Sequence, residues 1–96
     1  MFKLKFIPSA LREWKKLAEP TKQQLRKKLK ERLENPRVPA SKLYGFTDVY
    51  KIKLRSSGYR LVYEVNDSEI SVVVIAVGKR DKGKVYSKFK SRLIDH

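Results

Sequence analysis

Apolar and polar residues alternate at the start of the chain: Phe2, Leu4 and Phe6 are separated by Lys3 and Lys5, the period of a half-buried strand. Pro8 ends that strand, and Ser9 is placed to cap a helix. Leu11, Trp14 and Leu17 then form one helical stripe, and Glu19-Pro20-Thr21 breaks the chain. In a second helix Leu25, Leu29 and Leu33 recur every fourth residue until Asn35-Pro36 stops it. Residues 37–48 hold Pro39, Gly45 and mixed polar residues and read as a loop. Residues 50–64, YKIKLRSSGYRLVYE, read as a β-hairpin, and Asn66-Asp67-Ser68 marks the next turn. Residues 70–77 are nearly all apolar and mostly β-branched, the pattern of a strand covered on both faces. After residues 78–84, Val85, Phe89 and Leu93 recur every fourth residue, which predicts a C-terminal helix starting near Gly83 and carrying Tyr86. The order β-α-α-β-β-β-α predicts an α+β fold over residues 1–96: a mostly antiparallel four-stranded sheet, an N-terminal helical hairpin packed on it, and a C-terminal helix.

The hairpin organises the rest. Tyr50, Ile52 and Leu54 alternate with Lys51, Lys53 and Arg55, so one face is apolar and the other basic. A two-residue turn at Ser57-Gly58, with Gly supplying the positive φ, would set Arg55 opposite Arg60, Lys53 opposite Val62 and Lys51 opposite Glu64. A three-residue loop would change that register. Like charges opposed across two strands destabilise a sheet, and a bound anion would relieve the repulsion.

Charge strengthens this reading. The chain has 96 residues, 24 Lys+Arg against 10 Asp+Glu, and a formal net charge of +14, which points to a polyanionic partner. With no cysteine, disulfides, thiolate catalysis and cysteine-ligated metal are excluded. The only histidine is His96, the last residue. No apolar run of about 18 residues occurs, and the first residues lack the apolar core of a signal peptide, so a cytoplasmic protein with no membrane partner is expected.

Most cations of the second helix (Lys22, Arg26, Lys27, Lys28, Lys30, Arg32) read as a solvated face, although a phosphate or an acidic partner could use them. Trp14, Tyr50, Tyr59 and Tyr63 read as core, while Tyr44 and Phe46 could either stack on a base or pack beneath the loop. The hairpin cations stand apart. Lys51, Lys53 and Arg60, with Lys79-Arg80 leaving the neighbouring strand and Tyr86 just beyond, form a dense set with Glu64 the only acid nearby. Cleavage of RNA by its own 2′-hydroxyl needs a base at that hydroxyl, charge stabilisation at phosphate and an acid at the 5′-oxygen. A lysine among other cations has its neutral form favoured and can approach base behaviour, whereas arginine suits phosphate contact. Such a site is intrinsically weak and gains from a partner that presents RNA already bent toward in-line geometry. No carboxylate cluster suggests a two-metal nuclease.

The run YKIKLRSSGYRLVYEV, followed by VVIAVGKR and VYS, closely resembles the RelE family of bacterial toxins. The likeness extends over essentially the whole chain, including LREWKKL, LENPR and the loop at Lys42-Leu43-Tyr44-Gly45. It implies an mRNA-cleaving toxin of a type II toxin–antitoxin pair that acts in the ribosomal A site without cofactor or metal. It also implies roles: Lys51 and Lys53 at the attacking 2′-hydroxyl, Arg60 at the phosphate, Arg80 at the leaving oxygen, and Tyr86 orienting or stacking the substrate. Arg55, Lys79, Lys82 and Lys84 are expected to contact mRNA or rRNA. The implied partners are the ribosome, mRNA and a RelB-like antitoxin that shifts or covers the C-terminal helix, with operator DNA bound only through the antitoxin complex. Two other readings remain: a non-catalytic basic RNA- or ribosome-binding module, and the ParE-like branch of the same fold, which poisons DNA gyrase.

Overall fold

The computed structural model describes residues 1–79 and 84–95, and within the last helix the side chains of residues 86–92. The elements are β1 (Lys3–Phe6), α1 (Pro8–Lys15), α2 (Glu19–Glu34), a 3-10 turn (Pro39–Ser41), β2 (Val49–Lys53), β3 (Tyr59–Asn66), β4 (Ser71–Lys79) and α3 (Lys84–Asp95). The helix starts differ from expectation. Ile7, not Ser9, is the N-cap of α1, with Pro8 in its first turn, and Pro20 opens α2 instead of breaking the chain. Proline suits both places because its missing N–H would have had no intrahelical partner there.

The four strands form one sheet in the order β1-β4-β3-β2. β2, β3 and β4 pair antiparallel, but β1 pairs parallel with β4, from Lys3 opposite Ser71 to Phe6 opposite Val74. The sheet is therefore mixed. Short turns force the meander to be antiparallel, whereas a connection through two helices can deliver either orientation.

The helical hairpin covers one face. Ala10, Trp14, Leu25 and Leu29 pack there against Tyr50, Ile52, Leu61, Tyr63, Val72 and Val74, all buried. On the other face Val49, Val62, Ile75 and Ala76 close around Phe89 of α3, which is 1% exposed. Burying that ring contributes about 1.5–3 kcal/mol. Trp14, Tyr50 and Tyr63 are core as expected, and Tyr59 packs half-buried at its edge. Phe46 packs edge-on against Phe89 at 4.9 Å, while Tyr44 is exposed.

A bulge interrupts the β3–β4 ladder: Val62 pairs with Ala76 and Tyr63 with Val74, leaving Ile75 over. Side chains take up the backbone groups beside it. Val77 N–H donates to Glu13 Oε1 (3.1 Å), and Arg92 donates to the Ile75 carbonyl (2.8 Å). Arg92 also grips both Glu13 oxygens at 2.8 and 3.0 Å, and Lys88 Nζ lies 2.7 Å from Oε2. No helix among the described residues is long and apolar enough to cross a membrane.

Burial alone would raise the Glu13 carboxyl, but hydrogen bonds from Arg92, Lys88 and the Val77 N–H outweigh it and hold the pKa at about 2 instead of 4.5. A depressed carboxylate pKa contributes stability that is present above the unfolded value and lost as pH falls through the folded one. With Glu13 only 19% exposed, the upper bound is about 3 kcal/mol. Urea unfolding should therefore show stability falling between about pH 4.5 and 2, and Glu13→Gln should flatten that slope; an unchanged slope would remove Glu13 as its source.

Candidate functional site

The hairpin loop is longer than a two-residue turn. Leu54 N–H donates to the Tyr59 carbonyl and Gly58 N–H to the Leu54 carbonyl, each at 2.9 Å, so the loop comprises residues 55–58. Gly58 sits at φ +76, where a Cβ would be strained. The register is displaced by two residues: Arg60 faces Lys53, not Arg55, and Lys51 faces Val62, not Glu64, which faces Val49. An even displacement leaves every side chain on its expected face. The like-charge pair persists with a different member, Lys53 opposite Arg60, while Arg55 moves into the loop.

Lys51, Lys53 and Arg60 converge with Tyr86 of α3 and Leu43 around a cavity of about 230 Å³. Arg60 is only 7% exposed. One guanidinium nitrogen donates to the Tyr59 carbonyl at 3.1 Å, but the buried Nε has no hydrogen-bond partner among the described residues. A charge this deep is costly unless it is paired, so an anion in the cavity would offset part of that cost. Arg55 is absent from this cavity; it lines a larger groove of about 630 Å³ with Lys53 and with Lys27, Lys28 and Glu31 of α2, and shares a neighbouring cavity of about 300 Å³ with Lys51, Lys53 and Arg32. That groove is wider and contains an acid. The smaller cavity, where a buried arginine and two lysines meet a tyrosine, is the better candidate for chemistry at a phosphate.

Lys79 does not join this group. It pairs with Tyr59 in the sheet and lies 5.6 Å from that ring's centre, on the helical-hairpin face. Arg80 and Lys82 lie outside the described residues, as does the Lys84 side chain.

Arg32, read from the sequence as part of a solvated face, is an internal brace. It donates to the Lys51 carbonyl (3.2 Å), the Tyr63 hydroxyl (2.8 Å) and Ser41 Oγ (3.1 Å). The Tyr63 hydroxyl donates to the Pro36 carbonyl at 2.6 Å. Burial pushes the Tyr63 pKa up, which keeps it a neutral donor. The brace fastens the strand carrying Lys51 to the end of α2. Arg37 secures the following loop through Asp67 (2.8 Å) and Asp48 (3.1 Å), and Leu43 reaches the cavity from that loop. No local pattern in the sequence marks Arg32 or Leu43. The signal for Glu13 is faint: an acid amid the cations Arg12, Lys15 and Lys16.

The family model described as "ParE toxin of type II toxin-antitoxin system, parDE" matches residues 4–83, which sets the class as a type II toxin. The mRNA interferase toxin RelE of Escherichia coli strain K12 is 55% identical over 91 residues, 95% of this chain and 96% of that protein. The crystal structure of isolated E. coli RelE toxin matches with a TM-score of 0.83 at 53% identity, covering 97% of this chain and 99% of that one. A chain of the intact E. coli RelBE toxin–antitoxin complex matches with a TM-score of 0.82 at 56% identity, covering 84% and 99%. This chain thus belongs to the RelE family of toxins, and the solved structures of the E. coli relative share its α+β fold.

Arg32→Ala should strip hydrogen bonds from the Lys51 carbonyl, Tyr63 and Ser41 together, lowering the urea-unfolding free energy by about 1–3 kcal/mol. A variant as stable as the parent would show that Arg32 does not brace β2.

Proposed function

We propose that this protein is the toxin of a type II toxin–antitoxin pair and a ribosome-dependent endoribonuclease that cuts mRNA in the A site, stopping translation. The E. coli relative named an mRNA interferase shares more than half of its residues across 96% of its length. The observation that carries the site assignment is the cavity where Lys51, Lys53, nearly buried Arg60 and Tyr86 converge.

In this reading Lys51 or Lys53 takes the proton of the 2′-hydroxyl. The 2′-oxygen bonds to phosphorus, the bond to the 5′-oxygen breaks, and a proton reaches the departing oxygen. The products are a 2′,3′-cyclic phosphate and a 5′-hydroxyl. Arg60 holds the phosphate oxygens as charge builds on them, a contact worth most in a water-poor site. Tyr86 stacks on or orients the nucleotide, and Arg80 assists the leaving oxygen. A site without an internal imidazole relies on geometry, and a ribosome that presents mRNA near in-line supplies it.

The partner is a RelB-like antitoxin, as in the RelBE complex solved for the E. coli relative. Operator DNA is contacted through that complex, and the toxin works in the cytoplasm on translating ribosomes. The formal charge of +14 suits both an acidic antitoxin and rRNA. A non-catalytic RNA-binding module and a gyrase-directed toxin both fit worse with relatives named mRNA interferases.

The purified chain incubated with programmed ribosomes should yield new mRNA 5′ ends within codons, absent with naked RNA. Arg60→Ala should lower the cleavage rate by about 10²–10³-fold and affinity far less; a wild-type rate would remove Arg60 from the mechanism. Binding without turnover, with a log–log salt slope near about −4 for about six phosphates on a single strand, would instead support the binding module.

A further inference from the structure

Among the described residues that line the cavity, Leu43, Lys51, Lys53 and Arg60 belong to the sheet or to the loop entering it; Tyr86 alone comes from α3. Its position therefore depends on how α3 is fixed. One anchor is apolar: among the described side chains of α3, Phe89 is the buried one, sunk among Val49, Val62, Ile75 and Ala76, with Tyr86 packed half-buried against the same cluster. Apolar packing is non-directional, so it sets the depth of a helix more firmly than its rotation.

The other anchor is polar. Arg92 grips both oxygens of Glu13 and Lys88 takes one of them, at 2.7 to 3.0 Å. Two parallel N–H···O bonds from a guanidinium fix direction as well as distance. Glu13 is itself held, because Val77 N–H donates to it from β4, and Arg92 also reaches the Ile75 carbonyl. α3 is thereby tied to the sheet at the bulge through one residue of α1.

We propose that Glu13 is a positioning residue for RNA cleavage: by gripping Lys88 and Arg92 it stops α3 from swivelling about Phe89 and holds Tyr86 at the cavity. This rests on the ribonuclease reading above. Tyr86 and Phe89 lie about 4.5 Å apart along the axis at 1.5 Å per residue. A swivel of roughly 10° displaces the tyrosine backbone by just under about 1 Å, and a misplacement of about 1 Å can cost about 10²-fold in rate.

The test uses the full chain and Glu13→Gln, which keeps an acceptor for Val77 but loses the charge. Lys88→Met serves as a milder second variant, since Lys88 is 40% exposed. Hydrogen–deuterium exchange should show α3 amides losing protection while those of β3 keep theirs. Single-turnover cleavage on programmed ribosomes should fall about 10-fold or more, with KM changing less than about 2-fold. Lys88→Met should move both readouts the same way by less. Because Glu13 acts through Tyr86, Glu13→Gln combined with Tyr86→Ala should cut no more slowly than Tyr86→Ala alone. Additive losses in that cycle, or full α3 protection in Glu13→Gln, would overturn the proposal. A wild-type chain that fails to cut, with α3 still loosened by Glu13→Gln, would overturn the ribonuclease reading and leave the anchor standing.

Discussion

The central strands β3 and β4 need cover on both faces, and the two covers differ in extent. The helical hairpin, through Trp14, Leu25 and Leu29, closes over residues from Tyr50 to Val77. On the opposite face, among the described residues, the core formed with α3 is smaller and centres on Phe89. Residues alternate in direction along a strand, so the face holding Val49 and Val62 also holds Lys51, Lys53 and Arg60. The cations occupy the part of that face beyond the small core, where half-buried Tyr86 meets them. The candidate cavity is thus the unfinished end of a core.

Such a site concentrates positive charge at a cost. Lys53 faces Arg60 across the ladder, and Arg60 is nearly buried. Neither feature favours the fold, and both favour an anion. The structure compensates by bracing each side of the cavity from a different helix. Arg32 of α2 fastens β2 through the Lys51 carbonyl, and Glu13 of α1 fastens α3 through Lys88 and Arg92. The N-terminal helices therefore do more than cover the sheet: each sends one charged side chain to a part that carries a candidate catalytic group.

The face assignment of the hairpin was legible in the letters because it depends only on odd and even positions, and the loop length changed the register by an even number. The register itself was not, because Ser57-Gly58 fits either a two-residue turn or the end of a longer loop. Closeness in sequence to Arg80 groups Lys79 with the site, yet its strand position directs it to Tyr59 on the other face. Arg32 reads as a solvated cation because its neighbours on α2 are cations. Only the approach of Tyr63, Ser41 and the Lys51 carbonyl gives it partners.

Element order, the two-sided burial of β4, the basic face of the hairpin and the family were all readable from the letters, since periodicity and long matching runs are local properties of a chain. Tertiary structure alone decided the parallel pairing of β1, the bulge at Ile75 and the two braces. Those features join residues as far apart as Glu13 and Arg92. A charged side chain reads the same in sequence whether water or a buried partner meets it, and packing makes that choice.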